Sequence, residues 1–259
     1  MTLRVISLGA GVQSTALALM AAHGEIAPMP DGAIFADTGW EPKAVYEHLD
    51  KLERALPFPV YRVSAGNLRE AAIGGGSKRS PKFAIIPWFT RNPDGTHGMG
   101  RRQCTAQYKI DPIMRKIVEL CGGLRRKGQA ESWIGISTDE VMRMKPARVQ
   151  YIIHRWPLIE MRMNRGDCRA WLQRHGWEAP RSACIACPFR SDEEWQMLTP
   201  NEIVDAVLVD EAIRHQFPSK GEQFVHRARV RLADVDLRSP ARIGQADLFN
   251  NDCEGMCGV

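Results

Sequence analysis

The sequence predicts an α/β fold, a parallel twisted sheet flanked by helices, followed by a C-terminal helical extension that contains cysteines. Two observations carry this prediction. Short apolar runs alternate with helical segments from the start of the chain, and a glycine loop separates the first run from the first helix. We expect a main domain over residues 1–190 and the extension over residues 191–259. A chain of 259 residues that is 44% hydrophobic can bury a full core without disulfides.

The elements follow in a regular order. Pro42 occupies the favoured first position of the second helix, and Gly24 ends the first one. Strands are predicted at 3–8, 33–36, 60–63 and 133–136, and helices at 14–23, 42–56, 111–120, 167–175 and 203–216. Between the strand at 60–63 and the helix at 111–120, a long loop is predicted at residues 74–102. Loops of this length are usually functional or mobile. Strand, helix and strand in this alternation indicate parallel pairing with right-handed crossovers.

Charge and cysteine content narrow the class of protein. The net charge of +5 suits an anionic partner, either a nucleotide or a nucleic acid. No apolar run approaches the ~20 residues of a membrane span, and the N-terminal pattern is not that of a signal peptide. We therefore expect a cytoplasmic protein without membrane contact. In that compartment the seven cysteines are metal ligands, reactive thiols or core residues rather than disulfides.

The glycine loop lies between the first strand and the first helix and reads Ser7-Leu8-Gly9-Ala10-Gly11-Val12-Gln13-Ser14-Thr15. Glycines let the backbone approach a phosphate, and hydroxyls at the helix start add donors. The loop does not match a Walker loop, because the Gly-Lys-Ser/Thr ending is missing. A dinucleotide loop would need a third glycine where Ser14 stands, although Asp37 could serve as its ribose-binding acid. A glycine turn that serves packing alone is the remaining structural alternative.

The loop also resembles the pyrophosphatase type, Ser-Gly-Gly-x-Asp-Ser-Thr. Gly11, Ser14 and Thr15 match it, while Gly9, Ala10 and Gln13 stand where that type has Ser, Gly and Asp. Further segments resemble, in the same order, the phosphoadenosine phosphosulfate (PAPS) reductase-like branch of the PP-loop superfamily, whose fold is of the HUP type. These segments are residues 35–41 (Phe-Ala-Asp-Thr-Gly-Trp-Glu), 104–112 (Cys-Thr-Ala-Gln-Tyr-Lys-Ile-Asp-Pro), 136–143, 157–172 and 184–188 (Cys-Ile-Ala-Cys-Pro).

The resemblance implies an adenosine nucleotide, ATP or a PAPS-type sulfonucleotide, bound across the carboxyl edge of the sheet. Lys109 would pair with phosphate or sulfate, and Arg102, close to Cys104, is a second candidate for holding an anion. The residues implied in nucleotide binding are Ser7, Gly9, Ala10, Gly11, Gln13, Ser14, Thr15, Asp37, Thr38 and Glu41. The departures in the loop leave open whether ATP is cleaved or a preformed sulfonucleotide is bound.

Cys184 and Cys187 form a Cys-x-x-Cys half-site for zinc or for an iron–sulfur cluster. In sulfonucleotide reductases that carry a [4Fe–4S] cluster, further ligands precede the Lys-x-x-Pro segment, where this chain has Cys104. We predict a cluster on these three cysteines with Cys168 as the candidate fourth ligand. A fourth iron left open for sulfur or substrate, a zinc ion, and plain buried thiols are the alternatives.

The tail carries Cys253 and Cys257 on a glycine-rich terminus. Cys257-Gly258 resembles the nucleophilic cysteine of PAPS reductases that use thioredoxin, which implies a catalytic thiolate and a thioredoxin-like reductant. A second metal half-site, or a tail that completes the first cluster, is equally open. In the predicted loop, Lys78 and Arg79 are interpreted as solvated charges.

Three functions follow from these features. The first is an enzyme that reduces PAPS or a related sulfonucleotide. The second is ATP-dependent thiolation of a nucleic acid, tRNA or DNA. The third is a non-catalytic nucleotide- or nucleic-acid-binding module with a structural zinc, which the missing loop aspartate favours.

Overall fold

The computed structural model describes residues 2–74 and 84–237, and its centre is a five-stranded parallel sheet. The strand order is β3-β2-β1-β6-β7, and each neighbouring pair in this sheet is parallel. The strands are β1 (Leu3–Leu8), β2 (Gly32–Asp37), β3 (Val60–Ser64), β6 (Ala130–Ile134) and β7 (Ile152–Arg155). The predicted α/β fold with a parallel sheet flanked by helices is therefore confirmed.

Helices cover both faces of this sheet. The helices of the described residues are α1 (Val12–Ala22), α2 (Lys43–Ala55), α3 (Leu68–Ile73), α4 (Asp111–Leu120), α5 (Pro157–Glu160), α6 (Arg165–Arg174), α7 (Asp192–Gln196) and α8 (Pro200–Ile213). Because strand side chains alternate between faces, Ile6 and Phe35 belong to the core under α1, α2 and α6. Val5 and Ile34 belong to the core under α4 on the opposite face.

The predicted loop at 74–102 is wrong in part, since it contains two short strands. β4 (Phe89–Arg91) pairs with β5 (His97–Met99) and with β8 (Glu222–Phe224), and both pairings are antiparallel. A turn over residues 92–96 joins β4 to β5, and Gly95 takes the left-handed conformation in it with φ +81°. Three-residue strands carry too short a pattern to be detected in the sequence.

A second hydrophobic core joins the region after residue 190 to earlier parts of the chain. It contains Trp40 and Trp88 together with Trp195, Val209 and Val225. The predicted division at residue 190 therefore runs through a shared core, and as a domain boundary it stays a prediction. In the described ranges, none of the helices combines the length and the apolar character that membrane crossing requires.

Candidate functional site

Three of the segments singled out in the sequence meet at the carboxyl edge of the main sheet. The strand order reverses beside β1, which lies between β2 and β6. Ligands of parallel α/β sheets bind outside the carboxyl ends of the strands at such a reversal. The glycine loop follows β1 there, residues 37–41 follow β2, and residues 135–143 follow β6.

The glycine loop is a tight, buried turn organised by Ser14. Helix α1 begins after Gly11, and Ala10 has the left-handed conformation with φ 59°. The Ser14 hydroxyl oxygen accepts hydrogen bonds from the backbone N–H groups of Gly9 at 3.2 Å and Gly11 at 3.3 Å. Ser7, at the end of β1, is also buried. The loop therefore presents the start of α1, with its backbone N–H groups, toward the carboxyl edge.

Gln13 connects α1 to the segment after β6. Its side-chain nitrogen donates to Ser137 Oγ at 3.4 Å and to Glu140 Oε2 at 3.3 Å. Burial raises the pKa of Glu140, and its 2.6 Å ion pair with Arg143 opposes that shift. A neutral amide at position 13 can donate to this carboxylate, whereas an aspartate would repel it. Glu140 was not among the predicted site residues, because its role appears only through this tertiary contact.

Thr15 faces α2 instead of the loop. Its hydroxyl lies 2.9 Å from Nε2 of His48, and its backbone N–H donates to the carbonyl of Gly11 at 2.9 Å. Burial lowers the pKa of His48 to about 4, so the imidazole is neutral at physiological pH. The Thr15 hydroxyl therefore contacts α2 in this structure, and its predicted contact with phosphate stays a prediction.

The segment after β2 turns sharply, and Asp37 stabilises the turn. Its carboxylate accepts from the backbone N–H of Gly39 at 2.7 Å and from the Tyr46 hydroxyl at 2.8 Å. Burial and the neighbouring Asp37 raise the pKa of Tyr46, so the phenol remains a donor. One residue on, the Thr38 hydroxyl donates to Oε1 of Glu41 at 3.2 Å.

Glu41 and Lys109 form a buried ion pair beside Cys184, the first cysteine of the Cys-x-x-Cys turn. Lys109 Nζ lies 3.4 Å from Glu41 Oε1, and the exposed fractions of the two side chains are 6% and 0%. The thiol of Cys184 lies 3.6 Å from the same oxygen, and its sulfur lies 3.4 Å from Thr38 Oγ1. The second carboxylate oxygen of Glu41 is buried without a hydrogen-bond partner among the described residues. Lys109 reaches this point from a π-helical turn, Thr105–Ile110, a distortion common at functional sites.

Three cysteines from two distant segments line one cavity next to this ion pair. Cys104 enters from the start of the π-helical turn, and Cys184 and Cys187 come from a tight turn after α6. Arg102 and Lys109 line the same cavity. Its interior offers about 20 Å³ to water, roughly the room of one molecule, so the lining side chains nearly close it. The structure therefore brings together five residues from two segments that lie far apart in the sequence.

A buried arginine holds the Cys-x-x-Cys turn in place. The Arg190 guanidinium donates to the carbonyl oxygens of Ala183 at 2.7 Å, Cys184 at 3.1 Å and Ile185 at 3.0 Å. Burial lowers its pKa, and the nearby Cys187 and Glu41 oppose that shift. Sequence reasoning missed Arg190, whose one signal is its position three residues after Cys187 and before a helix cap. It places a positive charge behind the thiols.

The electrostatics of Cys184 favour the neutral thiol in the absence of a bound group. Burial raises its pKa well above the usual range, and the negative charge of Glu41 adds to the rise. Lys109 and the Thr38 hydrogen bond act in the opposite direction. Arg102, which lines the mouth, lies with its guanidinium 5.1 Å from the centre of the Phe189 ring.

Cys168 does not join the other three cysteines. It is fully buried on α6, in the hydrophobic core that α6 shares with α1 and Trp133. This corrects the expectation that Cys168 is the fourth ligand, since a thiol on the apolar face of an amphipathic helix packs as a small hydrophobe. The catalytic candidate Cys257, its neighbour Cys253, and Lys78 and Arg79 lie outside the described residues.

The donor set fits a metal group that prefers sulfur. Three thiols without an imidazole among the cavity residues are ligands for zinc or an iron–sulfur cluster. In the described chain, their Sγ atoms are not all within 4.8 Å of one another. Ligands of one tetrahedral zinc ion lie about 3.8 Å apart, as follows from Zn–S bonds of about 2.3 Å. The spacing is therefore wider than a single zinc ion requires.

Comparisons with known proteins add a likeness in fold. No protein-family model matches the chain, and no curated protein matches it in sequence. Among solved structures, it is similar to phosphoadenylyl-sulfate (PAPS) reductase from Candida auris, determined as a phosphate complex. The identity is 15% and the TM-score 0.44, over 69% of this chain and 74% of that one. The α/β fold of this chain rests on its own sheet topology.

Proposed function

We propose that this chain is an enzyme that binds an adenosine nucleotide and carries out sulfur chemistry, with reduction of a PAPS-type sulfonucleotide as its reaction. One observation carries the proposal. Cys104, Cys184 and Cys187 converge on a single cavity with Lys109, and that cavity lies at the carboxyl edge of the sheet. Soft thiols beside a buried cation suit a substrate that presents sulfur within an anionic group.

The nucleotide would bind along the edge between the glycine loop and the cavity. Backbone N–H groups at the start of α1 would provide the phosphate site, and Ser14 fixes the shape of the loop before them. Asp37 and Thr38, in the turn after β2, would form one wall of the nucleotide site. In this arrangement Lys109, with Arg102 at the mouth, would hold the sulfate end beside the thiols.

Two thiols supply the two electrons of the reduction, and the sulfonucleotide is the oxidant. The Cys257 thiolate attacks the sulfur of the sulfonucleotide, the sulfur–oxygen bond to the nucleotide phosphate breaks, and the nucleotide leaves with that oxygen. A second thiol, from Cys253 or a thioredoxin-like protein, then attacks the Cys257 sulfur and displaces sulfite. The two thiols become a disulfide, which the reductant returns to the thiol form.

A [4Fe–4S] cluster is the proposed group for the cysteine cavity, held by Cys104, Cys184 and Cys187. When bound, it would supply a polarisable, redox-active charge beside the sulfate. Thiol ligands without an imidazole suit such a cluster, and Arg190 behind the turn would offset the negative charge of its thiolates. With Cys168 in the core, the fourth position falls to a tail cysteine or to an exogenous ligand.

The cofactor is tested by anaerobic purification, followed by iron and acid-labile sulfide analysis and a visible spectrum. We expect iron and sulfide in equal amounts and a brown protein, both lost together in a Cys184→Ser variant. Cys121→Ser is the matched control, because Cys121 lies beyond the cavity lining and should leave the iron content unchanged. A colourless, iron-free protein purified anaerobically would overturn the cluster assignment.

The reaction is tested by measuring sulfite released from PAPS in the presence of thioredoxin. We expect Cys257→Ser and Lys109→Gln to lose most of the turnover. Lys43→Gln, whose side chain is 78% exposed, should retain it. Binding of PAPS without sulfite release would remove the reductase assignment.

One observation favours a second candidate, ATP-dependent thiolation of tRNA or DNA. Within the described residues the cavity offers three thiols, so a fourth position could accept a sulfur atom for transfer. Incubation with ATP, a sulfide source and tRNA or DNA, followed by nucleoside analysis, separates the two reactions. Sulfur incorporation that depends on ATP supports thiolation, and a zinc-containing protein without either activity supports the non-catalytic module.

A further inference from the structure

A second group of potential metal ligands lies at the opposite end of the molecule. His23 directly follows α1, Glu25 comes two residues later, and His175 directly follows α6. The helix α1 has 11 residues and so spans about 16 Å. Its first turn belongs to the glycine loop, and its last turn belongs to this group. The group therefore lies well away from the proposed nucleotide site and does not depend on the proposed function.

The three side chains are arranged as ligands of one ion. Each offers an atom that lies within 4.8 Å of the ligand atoms of the other two. Two imidazoles and one carboxylate are the donor set of zinc and related first-row divalent cations. All three residues are exposed, so an ion can reach them from solvent. Three protein ligands would leave a fourth position for water.

Trp171 fixes the orientation of two of these ligands from behind. Nδ1 of His175 lies 2.8 Å from the carbonyl oxygen of Trp171, and a carbonyl only accepts, so Nδ1 carries the proton. This tautomer leaves Nε2 as the nitrogen with a free lone pair for a metal. The His175 ring also stacks on the indole, with 3.8 Å between ring centres and 20° between the planes.

The indole N–H of Trp171 donates to both carboxylate oxygens of Glu25, at 3.2 and 3.1 Å. The His23 ring lies 5.5 Å from the same indole. Trp171 is itself 4% exposed and packed in the core, so it is a rigid support. Hydrogen bonds of this kind to the ligands of a metal are what orients them in established metal sites.

We propose that His23, Glu25 and His175 form a zinc-binding site that ties the C-terminal end of α1 to the C-terminal end of α6. The ion is held by residues from two helices that already pack against each other, so binding it draws no distant parts of the chain together. Its effect is to fix the end of the helix whose other end carries the glycine loop. An aromatic cluster of His23, Trp171 and His175 that packs without a metal is the competing outcome.

The test is titration of the full-length protein with Zn²⁺ alone, measured by calorimetry and by metal analysis after gel filtration. The cysteines bind zinc as well, so the informative quantity is the difference between variants. We expect the double variant His23→Gln/His175→Gln to bind one zinc equivalent fewer than the wild type. His97→Gln, at an exposed position on β5, is the matched control and should bind the wild-type amount. Equal stoichiometry in all three proteins overturns the site.

The supporting role of Trp171 has its own readout. Trp171→Phe keeps an aromatic ring under His175 but removes the N–H that holds Glu25, so zinc affinity at this site should fall by about 10-fold or more. Urea unfolding without zinc reports whether the variant is folded. Unchanged affinity in a folded Trp171→Phe protein contradicts the arrangement, and an anomalous scattering peak between the three side chains in zinc-soaked crystals supports it directly.

Discussion

The glycine loop and the cysteine cavity lie on the same edge of the sheet, yet they are built in opposite ways. In the loop, the polar side chains bind other parts of the chain: Ser14 to the loop backbone, Gln13 to Glu140, and Thr15 to His48. In the cavity, a carboxylate oxygen of Glu41 is buried without a hydrogen-bond partner among the described residues. Three thiols surround a space of about 20 Å³ beside it.

The difference indicates which region is suited to binding a ligand and which is suited to chemistry. The Ser14 and Thr15 hydroxyls of the loop are bonded within the chain, so the loop offers a ligand mainly its backbone, and its role is to bind and position. A cavity with an unsatisfied buried oxygen and several thiols stores unfavourable interactions that a bound group can relieve. The proposal assigns nucleotide binding to the loop and sulfur chemistry to the cavity, and the following experiments separate the two.

The largest effect is expected from Lys109→Met, which removes the cation of the buried pair. Glu41 would be left as an unpaired charge, and loss of one partner of a buried pair costs about 3–5 kcal/mol in the free energy of unfolding. Urea denaturation measures the change.

Two variants make this result specific to the cavity. Lys43→Met, in a surface pair with Glu47, should lose less than about 1 kcal/mol. Adding Glu41→Gln to Lys109→Met should restore most of the lost stability, because no buried charge then remains. A Lys109→Met protein as stable as the Lys43→Met protein would mean that the cavity is not held together by this pair.

The next effect concerns His48, which contacts Thr15 at the start of α1, and it depends on pH. Burial lowers the pKa of His48 from 6.5 to about 4, so the unfolded chain binds a proton more readily than the folded protein in that window. The neutral imidazole makes its full contribution to the free energy of unfolding above pH 6.5, and this contribution is lost as the pH falls through 4. It amounts to about 3 kcal/mol.

Unfolding free energies at pH 7 and pH 4 test this for the wild type and for His48→Gln. The wild type should lose about 3 kcal/mol more than the variant between the two values, since the other titrating groups are common to both. His97→Gln serves as the exposed control and should behave like the wild type. Parallel pH profiles for the wild type and His48→Gln would show that His48 titrates normally.

Gly135→Ala should disturb the loop from the side of β6. A methyl group at position 135 would lie 2.9 Å from the backbone nitrogen of Ser14 and 3.2 Å from the carbonyl carbon of Gln13. Backbone atoms cannot rotate away, so the strand end or α1 has to shift, at about 1–3 kcal/mol. Gly100→Ala, with its nearest contact at 3.4 Å, is the control. We expect weaker nucleotide binding in the first variant only, and equal binding in both would separate the loop from the nucleotide.

Much of the fold was predictable because buried parallel strands leave a simple signal. Short apolar runs identified β1 and β2, since both faces of these strands are covered by helices or core. The edge strand β7 was missed because Ile152–Arg155 is half polar. The hairpin of β4 and β5 was missed because its strands have three residues each.

The site was predictable only in its parts. The order of motifs led us to expect Cys104, Lys109 and the Cys-x-x-Cys turn in one place, and the structure brings them to one cavity. Their roles as ligands and catalytic residues stay predictions. Cys168 was misassigned because a cysteine on a helix reads equally as a ligand or as core. Arg190 was missed because its function depends on three carbonyls that come together only in the folded turn.

The smallest effect is expected from Thr15→Val, and it tests whether the loop binds its ligand through the backbone or through side chains. The change removes the hydroxyl that contacts His48 but keeps the shape, so it should cost about 1 kcal/mol. Because that hydroxyl faces α2, nucleotide affinity measured by calorimetry should not change. Ser14→Ala removes the acceptor of two buried N–H groups and should weaken nucleotide binding, because the loop loses its shape. If Thr15→Val weakens nucleotide binding as much as Ser14→Ala does, the hydroxyl turns toward phosphate in the complex, and the loop binds its ligand with side chains after all.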